Sequence, residues 1–241
     1  MRVDVKHNPG FGSARLTLEP GEQVRAESGC MMMLQNVTID ARAEGGVLKS
    51  LKRAALGGES FFITTFTAGN NGGWVDIAAR LPGDVGIIDI PANGLVIQRG
   101  SWLASSGGVT LETQWRGMSN LVGGEGGFAL TASGQGGVVV GCYGALEVVT
   151  LNPGENLVVD SGHMVAYEIG VNVTLERATA GLAGMVKSAE GFVLNFSGPG
   201  RVWVQNRNPR DFLSWISNSI GQQGSGAGGA VTSLGGLFGR D

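Results

Sequence analysis

Asp160 ends an apolar run and opens an Asp-Ser-Gly triplet in LVVDSGHMVAYEIG (157–170). An aspartic protease presents its catalytic carboxylate in such a setting. That chemistry needs two carboxylates sharing one proton, so that one works as acid and the other as base. The same stretch is rewritten twice elsewhere in the chain, and Glu27 and Arg99 are read as the counterparts of Asp160. An arginine and a glutamate do not complete the dyad. The expectation is a turn in which Asp160 caps its own backbone. The residue after each Ser-Gly or Arg-Gly pair is Cys30, Ser101 or His163. A thiol, a hydroxyl and an imidazole meeting on a shared axis would suit a soft metal or a Cys–His nucleophile pair. The plainer expectation is an ordinary strand position beside a turn, with no metal or cofactor.

Three glutamates, Glu59, Glu125 and Glu190, each stand just before an aromatic strand. Arg42, Arg116 and Arg177 lie near the end of the preceding strand in each case. Recurrence at one place in each copy favours structural ion pairs over a catalytic carboxylate set. Gly224, Gly226 and Gly229 spell G-x-G-x-x-G, but a dinucleotide fingerprint must follow a strand and open a helix. This one follows a helix-like segment and runs into glycine, so it is a coincidence of composition. Lys49, Lys52 and Arg53 share one helical stretch and read as a solvated face, with a subunit or lipid-surface contact as the functional option.

The elements that must position these residues repeat three times. LEPGEQVRAESGCM (18–31) matches LNPGENLVVDSGHM (151–164) without a gap, and IPANGLVIQRGSWLAS (90–105) is a decayed third copy. Each copy continues with a strand (NVTIDARA, GVTLETQW, NVTLERAT), a short stretch of helical spacing, and then a glutamate and an aromatic strand. The Pro-Gly pairs predict turns, and the flanking RLTLE and VVTLN alternate as half-buried antiparallel strands do. The fold expected is all-β: three small antiparallel sandwich or roll units, residues 1–82, 83–143 and 144–206, around a pseudo-threefold axis. Units of this size are marginal alone and gain by packing side by side. From 207 to 241 a helix over NPRDFLSWISNSI (208–220) and a Gly-rich tail are expected.

Composition agrees. The 241-residue chain has 43 glycines, two tyrosines and 15% charged residues, which suits many short strands and tight turns. Seventeen basic against 20 acidic residues, a net charge of −3, argue against a general nucleic-acid binder. Two distant cysteines give no disulfide framework, and with no secretory signal or membrane-spanning segment in view the reading is a cytoplasmic protein.

PGE, SG-x-M and VT three times over, with a GGE-F strand and an LGGLFG tail, resemble a bacterial family of uncharacterised proteins related to the altered-inheritance-of-mitochondria (mitochondrial biogenesis) proteins. The resemblance covers essentially the whole chain. It implies a triplicated β fold like that of the tryptophan-RNA-binding attenuation protein, and it supplies no catalytic residues. The leading expectation is a non-enzymatic, homo-oligomeric scaffold, with a protein partner or a peripheral membrane contact engaged through the C-terminal helix and tail. A small-molecule binding module, with the ligand between repeats, is the alternative. A hydrolase using Asp160, or Cys30 with His163, is the third.

Overall fold

RLTLE and VVTLN alternate apolar with polar residues, and both become strands. In the computed structural model, which describes residues 1–40, 63–113, 129–177 and 192–223, they form β2 (Ser13–Leu18) and β14 (Leu146–Leu151). Each runs into its Pro-Gly turn. Glu22 N–H donates to the Glu19 carbonyl at 2.9 Å and Glu155 N–H to that of Asn152 at 3.0 Å. Gly21 and Gly154 take φ of +71° and +85°, a region glycine enters without strain. The glutamate of PGE has a part that the turn reading misses. Oε2 of Glu22 accepts the Glu19 N–H at 2.9 Å, and Oε2 of Glu155 accepts the Asn152 N–H at 2.7 Å. The reciprocal bonds clamp the turn from both sides.

After β1 (Arg2–Lys6), the first sequence block gives β2, β3 (Gln23–Glu27), β4 (Met31–Gln35), β5 (Val37–Asp40), β6 (Ile63–Ala68) and β7 (Gly73–Ala78). The second gives β8 (Val85–Asp89), β9 (Leu95–Gln98), β10 (Trp102–Ser106), β11 (Val109–Thr113), β12 (Ala129–Gly134) and β13 (Gly137–Gly141). The third gives β14, β15 (Asn156–Asp160), β16 (Met164–Glu168), β17 (Asn172–Arg177), β18 (Phe192–Ser197) and β19 (Gly200–Gln205). The protein is thus mostly β, with its named strands in four antiparallel sheets. Their orders are β1-β2-β7-β4, β5-β6-β3-β10-β13-β8, β11-β12-β9-β16-β19-β14 and β15-β18-β17.

Each six-stranded sheet mixes two blocks. β10 pairs with β3 (Ala104↔Ala26), and β16 pairs with β9 (Ala166↔Ile97). A closed ring would need β4 to pair with β15, and that ladder is absent among the described residues. The core follows the same sharing. One apolar cluster joins Leu95, Ile97, Trp102 and Val140 to Val165 and Trp203; another joins Leu16, Val24 and Phe66 to Leu103 and Val139.

The segments connecting the blocks also bond to one another. Gly12 N–H donates to the Gly83 carbonyl at 2.7 Å, and Asp84 N–H to that of Gly144 at 2.8 Å. Asn8 imitates a strand: its Nδ2 donates to the Val85 carbonyl at 2.9 Å and its Oδ1 accepts the Val85 N–H at 3.1 Å. The Asp84 carboxylate accepts the Gly10 N–H at 3.2 Å and the Leu146 N–H at 3.0 Å. One aspartate therefore ties the approaches to β2 and β14.

The chain divides into two compact units, Met1–Arg207 and Asn208–Asp241. In the second, α1 (Pro209–Gln223) is the helix the sequence predicts. Asn208 Oδ1 accepts the Arg210 N–H at 3.0 Å, capping a helix whose first residue, a proline, has no N–H to satisfy. Phe212 and Trp215 stack at 6.4 Å between ring centroids. The three stretches of helical spacing, the basic residues Lys49, Lys52 and Arg53, and the Gly-rich tail from 224 onward lie outside the described residues, while residues 221–223 of the expected tail extend α1.

Candidate functional site

Asp160 does what a turn aspartate does. Its Oδ1 accepts the Gly162 N–H at 2.8 Å and caps a 3-10 turn, Ser161–His163. The second block has the matching 3-10 turn at Arg99–Ser101, and its capping residue is Gln98. Gln98, not Arg99, is therefore the counterpart of Asp160. The turn glycines Gly100 and Gly162 set the register: Gln98 and Asp160 stand two places before them, and Arg99 corresponds to Ser161. Glu27, the first-block counterpart, has another role. Burial pushes its carboxyl above the ordinary range, against the pull of Arg80 and Arg99, and Arg80 Nη2 lies 3.3 Å from Oε1. The charges acting on Glu27 are arginines, and a shared-proton pair would need a second carboxylate.

Cys30, Ser101 and His163 each hold a different partner. Cys30 is buried, with Sγ 3.7 Å from the Leu103 carbonyl. Ser101 Oγ donates to Gln98 Oε1 at 3.2 Å. His163 Nδ1 sits 2.7 Å from the Gln205 carbonyl. None of these bonds links two members of the trio. Burial pushes the Cys30 thiol up to about 12, with Glu27 adding to the shift, and Cys142 up to about 11. A nucleophilic or metal-binding cysteine needs the opposite shift, toward thiolate. Among the described residues no group of three or more His, Cys, Asp or Glu side chains is placed to hold a metal. Of the ion-pair candidates, Arg42, Glu59, Arg116, Glu125 and Glu190 lie outside the described residues. Arg177 ends β17, its backbone paired with Phe192.

Two polar groups that sequence reasoning missed anchor the body. Gln205, buried at the end of β19, donates from Nε2 to the Gly162 carbonyl at 2.9 Å and accepts the Tyr143 N–H at Oε1, also at 2.9 Å. It fixes the turn that carries His163 to the segment entering β14. Its signal was a polar residue at the close of the apolar strand RVWVQ.

Asp76 is buried on β7 opposite Arg15 of β2, which grips it at 2.7 and 2.8 Å and lies 3.7 Å from the centre of the Trp74 ring. Arg15, with help from Lys6, holds the Asp76 carboxyl below its ordinary value. Such a carboxylate adds stability that is fully present above the unfolded-state value and is lost as pH falls through the depressed folded one. Asp76→Asn is expected to lower the urea midpoint at neutral pH and flatten its decline into acid. An acid limb identical to the parent's would remove Asp76 as its source.

An open depression of about 870 Å³ is lined by Arg2, Val3, Ile87, Asp89, Ser106 and Gln135, among others. Its mixed lining holds one basic side chain, Arg2, and one acidic side chain, Asp89. No helix among the described residues is long and apolar enough to cross a membrane.

A mostly antiparallel β body built from shared sheets, followed by one capped helix, defines the class. The family model described as mitochondrial biogenesis AIM24 matches residues 3–207. The chain belongs to this family. Among solved structures it is similar to protein SPYM3_0169 from Streptococcus pyogenes, a structural-genomics target. The two are 25% identical with a TM-score of 0.74, over 90% of this chain and 99% of that one. No curated protein matches the chain.

Proposed function

We propose that the protein is a non-enzymatic cytoplasmic scaffold that assembles with copies of itself. In this reading the body is three copies of one six-strand unit wound about a common axis, as in the tryptophan-RNA-binding attenuation protein, with the ring left open. One observation carries it: the same pairing scheme recurs in all three blocks. The first strand of each block pairs with the last in β2–β7, β8–β13 and β14–β19. The second pairs with the fifth in β3–β6, β9–β12 and β15–β18. The polar groups that could do chemistry are spent on turns and connections, and the raised thiols weigh against a cysteine nucleophile.

C-terminal residues 207–241 supply the further contact, to a protein partner or a membrane surface. Light scattering over a range of concentrations is expected to give a mass above the monomer. Affinity capture with the intact chain, but not with one lacking 207–241, is expected to retain a specific partner identified by mass spectrometry. A monomer at every concentration, with no tail-dependent partner, would end this reading. The depression beside Asp89 favours a second one, a small-molecule binding module; native mass spectrometry of the purified protein would reveal its ligand as a discrete added mass. Hydrolysis requires Asp160 or His163, so activity lost in Asp160→Asn or His163→Ala would displace both.

A further inference from the structure

β4 is an edge strand with an unusual face. Met31, Met32 and Met33 are 39%, 55% and 48% exposed, and the strand has neither the charge nor the proline that normally protects an edge. Its counterparts are deeply buried: Trp102, Leu103 and Ala104 of β10 are at most 2% exposed, and Met164, Val165 and Ala166 of β16 at most 1%. All three strands carry a register irregularity at the same point, between Met31 and Met33, Trp102 and Ala104, and Met164 and Ala166. β10 is covered by β3, and β16 by β9. By the same scheme β4 should be covered by β15, yet among the described residues β4 pairs with β7 alone and β15 with β18 alone. Val158 of β15 is 61% exposed, while its counterpart Val96 is 3%.

The two junctions already made fix the register of the missing one. In each, the residue four places after a turn glycine pairs with the residue three places before the preceding block's turn glycine: Ala104 with Ala26, and Ala166 with Ile97. Applied to Gly29 and Gly162, this rule pairs Met33 with Val159, Leu34 with Val158 and Gln35 with Leu157.

We propose that β4 of one copy pairs with β15 of a second copy in this register, joining the β1-β2-β7-β4 sheet to the β15-β18-β17 sheet. The joined sheet runs β17-β18-β15-β4-β7-β2-β1, and its first six strands repeat the order already present in β5-β6-β3-β10-β13-β8. The contact is heterologous: each copy offers one methionine edge and one valine edge, so growth ends only when a ring closes. The unbranched methionine side chains adapt to the surface they meet. This assignment rests on the self-assembling scaffold reading and names its interface.

The test uses the full-length chain. Leu34→Cys and Val158→Cys proteins, mixed and oxidised, are expected to form a mixed disulfide dimer, while neither links alone; paired strand positions lie within disulfide reach. Met33→Lys, at an exposed position, should keep the parent's thermal midpoint and weaken assembly by at least about tenfold, since a charge would be trapped in the seam. If the parent is monomeric at every concentration, the scaffold reading and this interface fall together. If assembly survives Met33→Lys and the mixed disulfide does not form, the interface alone is wrong. A Leu34→Cys/Val158→Cys double variant that links within a single chain would also overturn it, because the ring would then close on itself.

Discussion

Replacing Trp102 by alanine is expected to cost the β body about 3–5 kcal/mol, as full truncation of a buried tryptophan usually does. Trp102 is 0% exposed and opens β10, the strand that joins the first block's sheet to the second's. Its ring lies in the cluster that holds Leu95 and Ile97 of β9, Val138 and Val140 of β13, and Val165 and Ala166 of β16. The cavity would thus open beside strands from two blocks at once, where no single sheet can collapse to fill it. Urea unfolding followed by circular dichroism measures the loss. Trp102→Phe, which keeps most of the volume, should fall well short of it. A loss under about 1 kcal/mol in Trp102→Ala would mean that the cluster repacks freely and that the shared core is not rigid.

The second large effect is expected at a glycine. A Cβ on Gly83 would lie 2.6 Å from the Gly144 nitrogen and 2.8 Å from its carbonyl oxygen, and would also strike the Cys142 carbonyl. Those obstacles are backbone atoms, which have no alternative rotamer. Gly83→Ala should therefore cost about 1–3 kcal/mol or more, the range for overpacking, by pushing apart the segments that enter β8 and β14. Gly100→Ala is the control, since its φ lies outside the left-handed region and nothing lies within 4 Å of the added methyl. If the two variants behave alike, the close approach at Gly83 is not what limits substitution there. Thermal melts of the pair decide between the explanations.

Much of the architecture was legible because it rests on local rules. Pro20-Gly21 and Pro153-Gly154 specify their turns in four residues, alternation specifies β2 and β14, and Asn208-Pro209 announces α1. Self-similarity then carried those local facts across the chain, though it put the counterpart of Asp160 in the turn before β10 one residue late, at Arg99 instead of Gln98. What stayed hidden depends on pairs far apart in sequence. Nothing in the order of residues says that Asp84 will accept N–H groups from Gly10 and Leu146. Gln205 looks like any polar residue at a strand end until Gly162 and Tyr143 arrive beside it. The candidate trio failed for a related reason: three copies of a position share a local frame, but their partners come from different strands. Cys30 meets a carbonyl of β10, whereas His163 meets one at the end of its own block's β19.

The bonds among the connecting segments also set a timetable for the newborn chain. Asn8 must wait for Val85, 77 residues later, and Asp84 for Leu146, 62 residues later. At a synthesis rate of about 5–20 residues per second, the first wait alone lasts about 4–15 s. Throughout it β3 stands without β10, so one bare strand edge has to be tolerated, or shielded by a chaperone, until the next block leaves the ribosome.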